Sequence, residues 1–320
     1  MPESGNSRLG DRLSEPRSGF AIALRSKRLC FTPCLALTEP QPDGVSGHHP
    51  SPQGKYSFGR IEMLGQCSRQ AETEDWINIL KLDLKHLHGE SALNHDLIMG
   101  YNSQQDAFVE REVDTFSRIE EAIFETEEKG KMPLWQGYDE ITDYPRRTGP
   151  NSKRKVSQVR TGQGICMFYA WLALQKKPDT ILEFGAAFGA SGMYWLAGLA
   201  IAGQGRLVSF EPNELWCSIA RENFLKISDQ FTLTAGTFED NLPLVTPKAT
   251  ITLIDAIHTK SVVLAQFELV KQVSQPGALV ILDDLAFSDD MRECWKEVRE
   301  SADVSAAWQI GNRVGIVELV

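Results

Sequence analysis

After Lys177-Pro178 the apolar and polar positions settle into a regular alternation. Short runs rich in β-branched and aromatic residues at 180–184, 206–210, 231–234, 250–255, 278–283, 306–310 and 314–319 predict seven strands. Helical spacing separates the first five strands, at 191–201, 214–227 and 261–273, and a further helical run at 288–300 follows the fifth. Only Gly311-Asn312-Arg313 joins the last two strands. A connection that short cannot make a parallel crossover, so the final pair is expected to be an antiparallel hairpin. The pattern predicts a doubly wound, Rossmann-like α/β fold. Its sheet is seven-stranded and mostly parallel, with an antiparallel C-terminal hairpin and ligands at the carboxyl ends of its strands.

Upstream the pattern is thinner. Phe108, Val109, Val113, Phe116, Ile119 and Ile123 recur at helical spacing between 104 and 129, ahead of Gly130, and predict an amphipathic helix. The segment 75–98 has no decisive period, and 156–174 reads as a helix leading into the first strand. Between them, 144–155 is a loop by its Pro and Gly content and basic through Arg146, Arg147, Lys153, Arg154 and Lys155. A solvated surface loop is the plainer reading, and an arm over an anionic substrate the alternative. Residues 1–70 hold 7 Pro, 8 Gly and 9 Ser with no sustained periodicity, a composition that does little to offset the entropy of ordering. Three regions are therefore expected: a poorly ordered leader at 1–70, a helical cap with the basic loop at 71–155, and a catalytic-type domain at 156–320. A targeting role for the leader and an extension upstream of Met63 both stay open.

Composition narrows the function. The net charge of −10 is uneven: 1–70 has nine Lys+Arg against six Asp+Glu, and the excess of acid lies beyond it. An acidic body argues against nucleic acid as the main partner. No run reaches the roughly 18 apolar residues that span a bilayer, so no membrane partner is expected. The six cysteines are dispersed, without a CxxC pair or zinc spacing, which fits reduced thiols and a cytoplasmic location. A homo-oligomer is left open.

The candidate chemistry gathers at strand ends. Gly185 and Gly189 flank a strand-to-helix turn, where closely approaching backbone and the first N–H groups of a helix suit an anionic group. Glu211 ends the second strand, at the distance where a carboxylate accepts ribose hydroxyls. A dinucleotide fingerprint needs a glycine at 187, where this chain has Ala.

Residues from about 155 to 320 resemble class I S-adenosylmethionine-dependent methyltransferases. Glu183-Phe-Gly-Ala-Ala-Phe-Gly-Ala-Ser191 is similar to the first motif of their catechol-type O-methyltransferase branch. The resemblance implies that Gly185, Gly189 and Ser191 meet the methionyl end of the cofactor, that Glu183 orients the turn, and that Glu211 holds the ribose. Thr237, Phe238 and Glu239 would form the adenine pocket, with Thr237 standing where relatives often carry Asp or Asn. It implies further that Asp255 belongs to the reaction centre and that His258 takes the place of a lysine base. Asp255, Asp283 and Asp284 would be ligands for a hard cation such as Mg²⁺, with Asp284 in place of the usual amide. A metal-free site fits the same three acids. The implied function is methyl transfer to oxygen of a small-molecule acceptor. An inactive methyltransferase-like binding protein is the alternative, and a nicotinamide-dependent oxidoreductase comes third.

Overall fold

The computed structural model describes residues 81–320 apart from 142, 143, 145–148, 150 and 247. The leader at 1–70 and the basic positions Arg146 and Arg147 lie outside the described residues. The strands are β1 (Leu84–Gly89), β2 (Met132–Pro133), β3 (Lys153–Arg154), β4 (Thr180–Phe184), β5 (Arg206–Phe210), β6 (Phe231–Thr234), β7 (Ala249–Ile254), β8 (Ser274–Leu282), β9 (Val304–Ile310) and β10 (Val314–Leu319). The helices are α1 (Ala92–Met99), α2 (Tyr101–Glu128), α3 (Gln163–Lys176), α4 (Ala190–Ala202), α5 (Glu214–Leu225), α6 (Phe238–Asn241), α7 (Lys260–Val273) and α8 (Asp289–Arg299).

The main sheet runs β1-β9-β10-β8-β7-β4-β5-β6. From β8 to β6 the strands are parallel, while β10 pairs antiparallel with both β8 and β9. The mostly parallel sheet and its terminal hairpin are as the alternation predicted. The sheet has eight strands rather than seven, because β1 adds to the edge of β9, antiparallel and with a register shift between His86 and His88. This strand falls in the segment that showed no decisive period; it is two-thirds exposed and sits at an edge, so little burial imposes a pattern on it.

Each central strand splits its side chains between two cores, as a period of two requires. Ile181, Leu207, Ile251, Leu279 and Trp308 enter the core beneath α2, α3, α4 and α5. Leu182, Val208, Val280 and Ala307 enter the opposite core, with Val263 and Phe267 of α7 and Met291 and Trp295 of α8. Both faces are covered, which explains why these strands read as nearly continuous apolar runs.

Helix α3 begins at Gln163, seven residues later than the 156–174 pattern predicts. Residues 156–158 form a single tight 3₁₀ turn instead, and Thr161 turns inward to bond the acids at the strand ends. Helices α3 and α4 pack closely because Gly198 has no Cβ; one built there would lie 2.3 Å from the Ala170 carbonyl oxygen. The Tyr169 and Trp195 rings stack across this contact at 4.6 Å.

The sequence reverses direction about β4, with β5 on one side and β7 on the other. Such a switch point opens a crevice at the carboxyl ends of the strands. All the chemistry described below lies there.

Candidate functional site

The turn after β4 is held by its neighbours on both sides. Gly185 and Ala186 donate their N–H groups to the Phe210 carbonyl, and Asp255 donates its N–H to the Phe184 carbonyl. Gly185 has φ +88°, and a Cβ on it would meet the Asp255 carbonyl oxygen at 2.5 Å. Gly189, also at φ +88°, opens α4 and faces Phe224 and Ala220 rather than the cavity. Ala187 between them has φ +47°, an uncommon left-handed position for a residue with a side chain.

Two buried glutamates organise this side. Ser191 and Ser209 each donate a hydroxyl to Glu183, at 2.6 Å to Oε1 and Oε2 respectively. Glu183 is completely buried, which raises its pKa to about 7 although the two hydroxyl bonds oppose the shift. Glu211 accepts the Ala187 N–H at Oε2 and the Asn213 N–H at Oε1, both at 2.8 Å. Burial raises its pKa to about 7 as well, against the pull of those two bonds. The carboxylate thus fixes the strained Ala187 turn while its face borders the cavity.

Beyond Glu211, Thr237 caps α6 by accepting the Asp240 N–H, at 3.3 Å. Phe238 is buried and stacks on Phe184 at 3.8 Å. Glu239 accepts a hydrogen bond from Gln266 at 2.8 Å. These residues form the floor at the β5–β6 end.

The opposite side is built on the ends of β7 and β8 and the β9–β10 turn. Asp283 is buried and fully committed. Arg313 donates Nε to its Oδ1 at 2.8 Å and Nη2 to its Oδ2 at 3.0 Å, and Thr161 donates its hydroxyl to Oδ2 at 2.9 Å. The Asp284 N–H also donates to Asp283 Oδ1, at 2.6 Å. Asp284 has φ +55°, which turns its carboxylate away from Asp283 toward the cavity that it lines. His258 Nε2 lies 3.7 Å from Asp255 Oδ1 and 3.5 Å from Asp284 Oδ2. Burial, followed by the charges of Asp283 and Asp284, pushes the Asp255 carboxyl well above the usual range, with Arg313 opposing. A protonated Asp255 can donate to Thr161 Oγ1, 3.3 Å away, while Thr161 donates onward to Asp283.

One cavity of about 1330 Å³, counted with its open mouth, joins the two sides. It brings together Gly185, Ser191, Glu211, Thr237, Phe238, Glu239, Asp255, His258 and Asp284. Glu183, Gly189 and Asp283 stand behind its wall. A third wall comes from residues that the sequence pattern did not single out. The Tyr138 hydroxyl donates to the Ala256 carbonyl at 3.0 Å, and a run of ring contacts passes from Trp135 through Tyr138 and Tyr144 to Phe287 and His258. Arg160, also on the wall, is paired bidentately with Glu120 at 2.7 and 2.8 Å, and the Tyr194 hydroxyl donates to the same carboxylate.

The acids at the strand ends do not fit a shared Mg²⁺ site. Magnesium requires near-octahedral oxygen ligation and several waters. Asp283, however, spends both oxygens on Arg313, Thr161 and the Asp284 N–H, and a guanidinium already lies 3.4 Å from Asp284. Of the three acids expected to ligate a cation, Asp255, Asp283 and Asp284, Asp283 has no free oxygen to offer one, because the Arg313 guanidinium stands among them. No group of three or more His, Cys, Asp or Glu with metal-holding geometry occurs among the described residues.

Residues 182–285 match the family model of a methyltransferase domain, a stretch that contains the β4 turn, Glu211 and all three strand-end acids. That stretch is therefore similar to a methyltransferase domain. Among solved structures it is similar to an O-methyltransferase from Bacillus cereus in complex with S-adenosylhomocysteine, at 21% identity over 51% of this chain and 83% of that one, with a TM-score of 0.44. It is also similar to the O-methyltransferase TomG from Streptomyces achromogenes in complex with S-adenosylmethionine, at 18% identity over 51% and 82%, TM-score 0.44. A methyltransferase from Podospora anserina bound to S-adenosylhomocysteine aligns over 83% of this chain and 100% of that one, at 12% identity and a TM-score of 0.48. No curated protein sequence matches the chain. Among the described residues, no helix is long and apolar enough to cross a membrane.

Proposed function

We propose that this protein is an S-adenosylmethionine-dependent methyltransferase that methylates an oxygen of a small molecule. The observation that carries the reading is one cavity with a glycine turn and the Glu211 carboxylate at one end and an acid–histidine cluster at the other. The residues present suit the cofactor. Glycine at 185 lets the turn pack directly against the Asp255 backbone at the cavity wall, Glu211 faces the cavity with ionisable oxygens, and Phe238 with Phe184 offers an apolar floor for a ring.

When bound, S-adenosylmethionine supplies a methyl group made electrophilic by its sulfonium. The chain's own residues would do the rest. Gly185 and Ser191 border the methionyl end, Glu211 accepts the ribose hydroxyls, and Thr237, Phe238 and Glu239 enclose the adenine. His258 would take the proton of the acceptor hydroxyl and so leave an oxygen able to receive the methyl group that the cofactor would supply. Asp284, 3.5 Å from His258, favours the imidazolium that results. Trp135, Tyr138 and Phe287 exclude water from the mouth of the cavity.

Calorimetric titration with S-adenosylhomocysteine tests the reading. Binding with Kd in the micromolar range, about −8 kcal/mol, is expected. Absence of heat with S-adenosylhomocysteine and S-adenosylmethionine up to roughly 1 mM, weaker than about −4 kcal/mol, would sink it.

A further inference from the structure

We propose that Arg313 serves this site as a built-in cation, holding the reacting oxygen of the acceptor where a divalent metal would otherwise be needed. The inference rests on the methyl-transfer reading above and deepens it.

The geometry is specific. Arg313 sits on the turn between β9 and β10, and its backbone carbonyl accepts the Leu285 N–H at 2.8 Å, which ties that turn to the residues just past β8. Two parallel hydrogen bonds to Asp283 then lock the guanidinium plane, the fork-to-carboxylate arrangement that fixes orientation best. The side chain still keeps 36% of its surface exposed and lines the cavity, and Nη1 has no hydrogen-bond partner among the described residues. A locked, charged donor with spare capacity therefore borders the same cavity as Asp284 and His258.

The charge arrangement supports the assignment. Three carboxylates meet at the ends of β7 and β8, and Arg313 is the cation placed among them, 2.8 Å from Asp283 and 3.4 Å from Asp284. A second cation in the same place would face electrostatic repulsion and find Asp283 without a free oxygen. A guanidinium also differs from a metal ion in strength. It carries one delocalised positive charge and cannot bind the acceptor oxygen as a Lewis acid does, so it aids oxygens that ionise readily and leaves alkyl alcohols largely unassisted. The acceptor class that follows is a hydroxyl of phenolic acidity, with its ring against Tyr144 and Phe287. As it reacts, the O–H proton passes to His258, and Arg313 Nη1 donates to the oxygen that has gained the negative charge.

The test uses the full chain saturated with S-adenosylhomocysteine and 4-nitrophenol as a spectroscopic probe of phenol ionisation. In the wild-type complex the bound phenol should ionise about one pH unit below the free phenol, since a cation within hydrogen-bond reach shifts an acid by roughly one to three units. Arg313→Gln should abolish that shift while leaving S-adenosylhomocysteine affinity within about threefold, and Arg313→Lys should retain part of it. Mn²⁺ titrated into the wild-type complex should give no binding heat in the micromolar range. An unshifted phenol spectrum in wild type, from neutral binding or from none, would overturn the proposal; so would micromolar Mn²⁺ binding. Either result with S-adenosylhomocysteine still bound removes only the role of Arg313, whereas loss of cofactor binding in wild type removes the methyltransferase reading itself.

Discussion

Ser191 donates its hydroxyl to Glu183 at 2.6 Å, so the serine expected to meet the methionyl end is already engaged by a buried acid. The two residues form a relay. With Glu183 ionised, the serine proton is committed to it; with Glu183 protonated, the acid can donate to Ser191, and the serine proton can turn to a ligand carboxylate. Burial that raises Glu183 to about 7 makes both forms accessible near neutrality. The folded state then binds a proton more tightly than the unfolded chain between about pH 4.5 and 7, so this group's contribution to stability falls as pH rises through that window. Glu183→Gln should flatten the decline in urea-denaturation free energy between pH 5 and 7.5. A slope equal to that of wild type would contradict the relay.

Glu211 gives a prediction of opposite sign for binding. Its ionised form accepts the Ala187 and Asn213 N–H groups and has lone pairs left for two ribose hydroxyls. Its pKa of about 7 means that the accepting form is incomplete below neutrality. Affinity for S-adenosylhomocysteine should therefore rise from pH 6 to pH 8 and then level off. Glu211→Gln would set an amide N–H against a backbone N–H and weaken binding by about 10- to 100-fold, the loss of one charged hydrogen bond. Calorimetry across this pH range reads both effects, and a flat profile would reject the ionised-Glu211 account.

The legible parts of this chain are those where burial imposes a period. The five parallel strands and the terminal hairpin show in the sequence because both sheet faces are covered, and Ile181 and Leu182 must each fill a different core. Strand β1 is hidden because an edge strand with four of six residues exposed carries no such constraint. The site divides similarly. Gly185 and Glu211 are tied to strand ends by local rules of turn and spacing, so their positions are readable. Arg313 is not, since an arginine in a Gly-Asn-Arg turn resembles any solvated turn residue until the sheet order brings β10 beside β8. Thr161 and Tyr138 are likewise brought in by tertiary packing from outside the alternating region. The acids at 255, 283 and 284 were visible as a cluster, but which cation they surround depends on that same strand order.

Gly185 couples the turn after β4 to the end of β7 through backbone alone. An added Cβ would meet the Asp255 carbonyl at 2.5 Å and would have to hold φ +88°. Neither can relax easily, because the Gly185 N–H is bonded to Phe210 and the Asp255 N–H to Phe184. Gly185→Ala should destabilise the fold by about 1–3 kcal/mol, the range for a strained backbone position with a steric conflict. Thermal denaturation reads the loss. A melting temperature equal to that of wild type would show that the turn yields more freely than its hydrogen bonds suggest.

Tyr138 tests whether the aromatic wall acts as a positioned cover. Its hydroxyl donates to the Ala256 carbonyl, one residue beyond Asp255, and links the 3₁₀ segment Gln136–Glu140 to the residues just past β7. Its ring meets Trp135 at 5.8 Å and Tyr144 at 4.9 Å. Tyr138→Phe keeps the ring and deletes the link, a loss of about 1 kcal/mol for a neutral hydrogen bond. Amide hydrogen exchange at 134–141 should then accelerate about fivefold, and the acceptor KM should rise more than kcat falls, because the wall contributes to holding the acceptor and not to the proton transfer. Unchanged exchange in the variant would mean that ring packing alone secures the wall. The Ala256 contact would then have no part in closing the site.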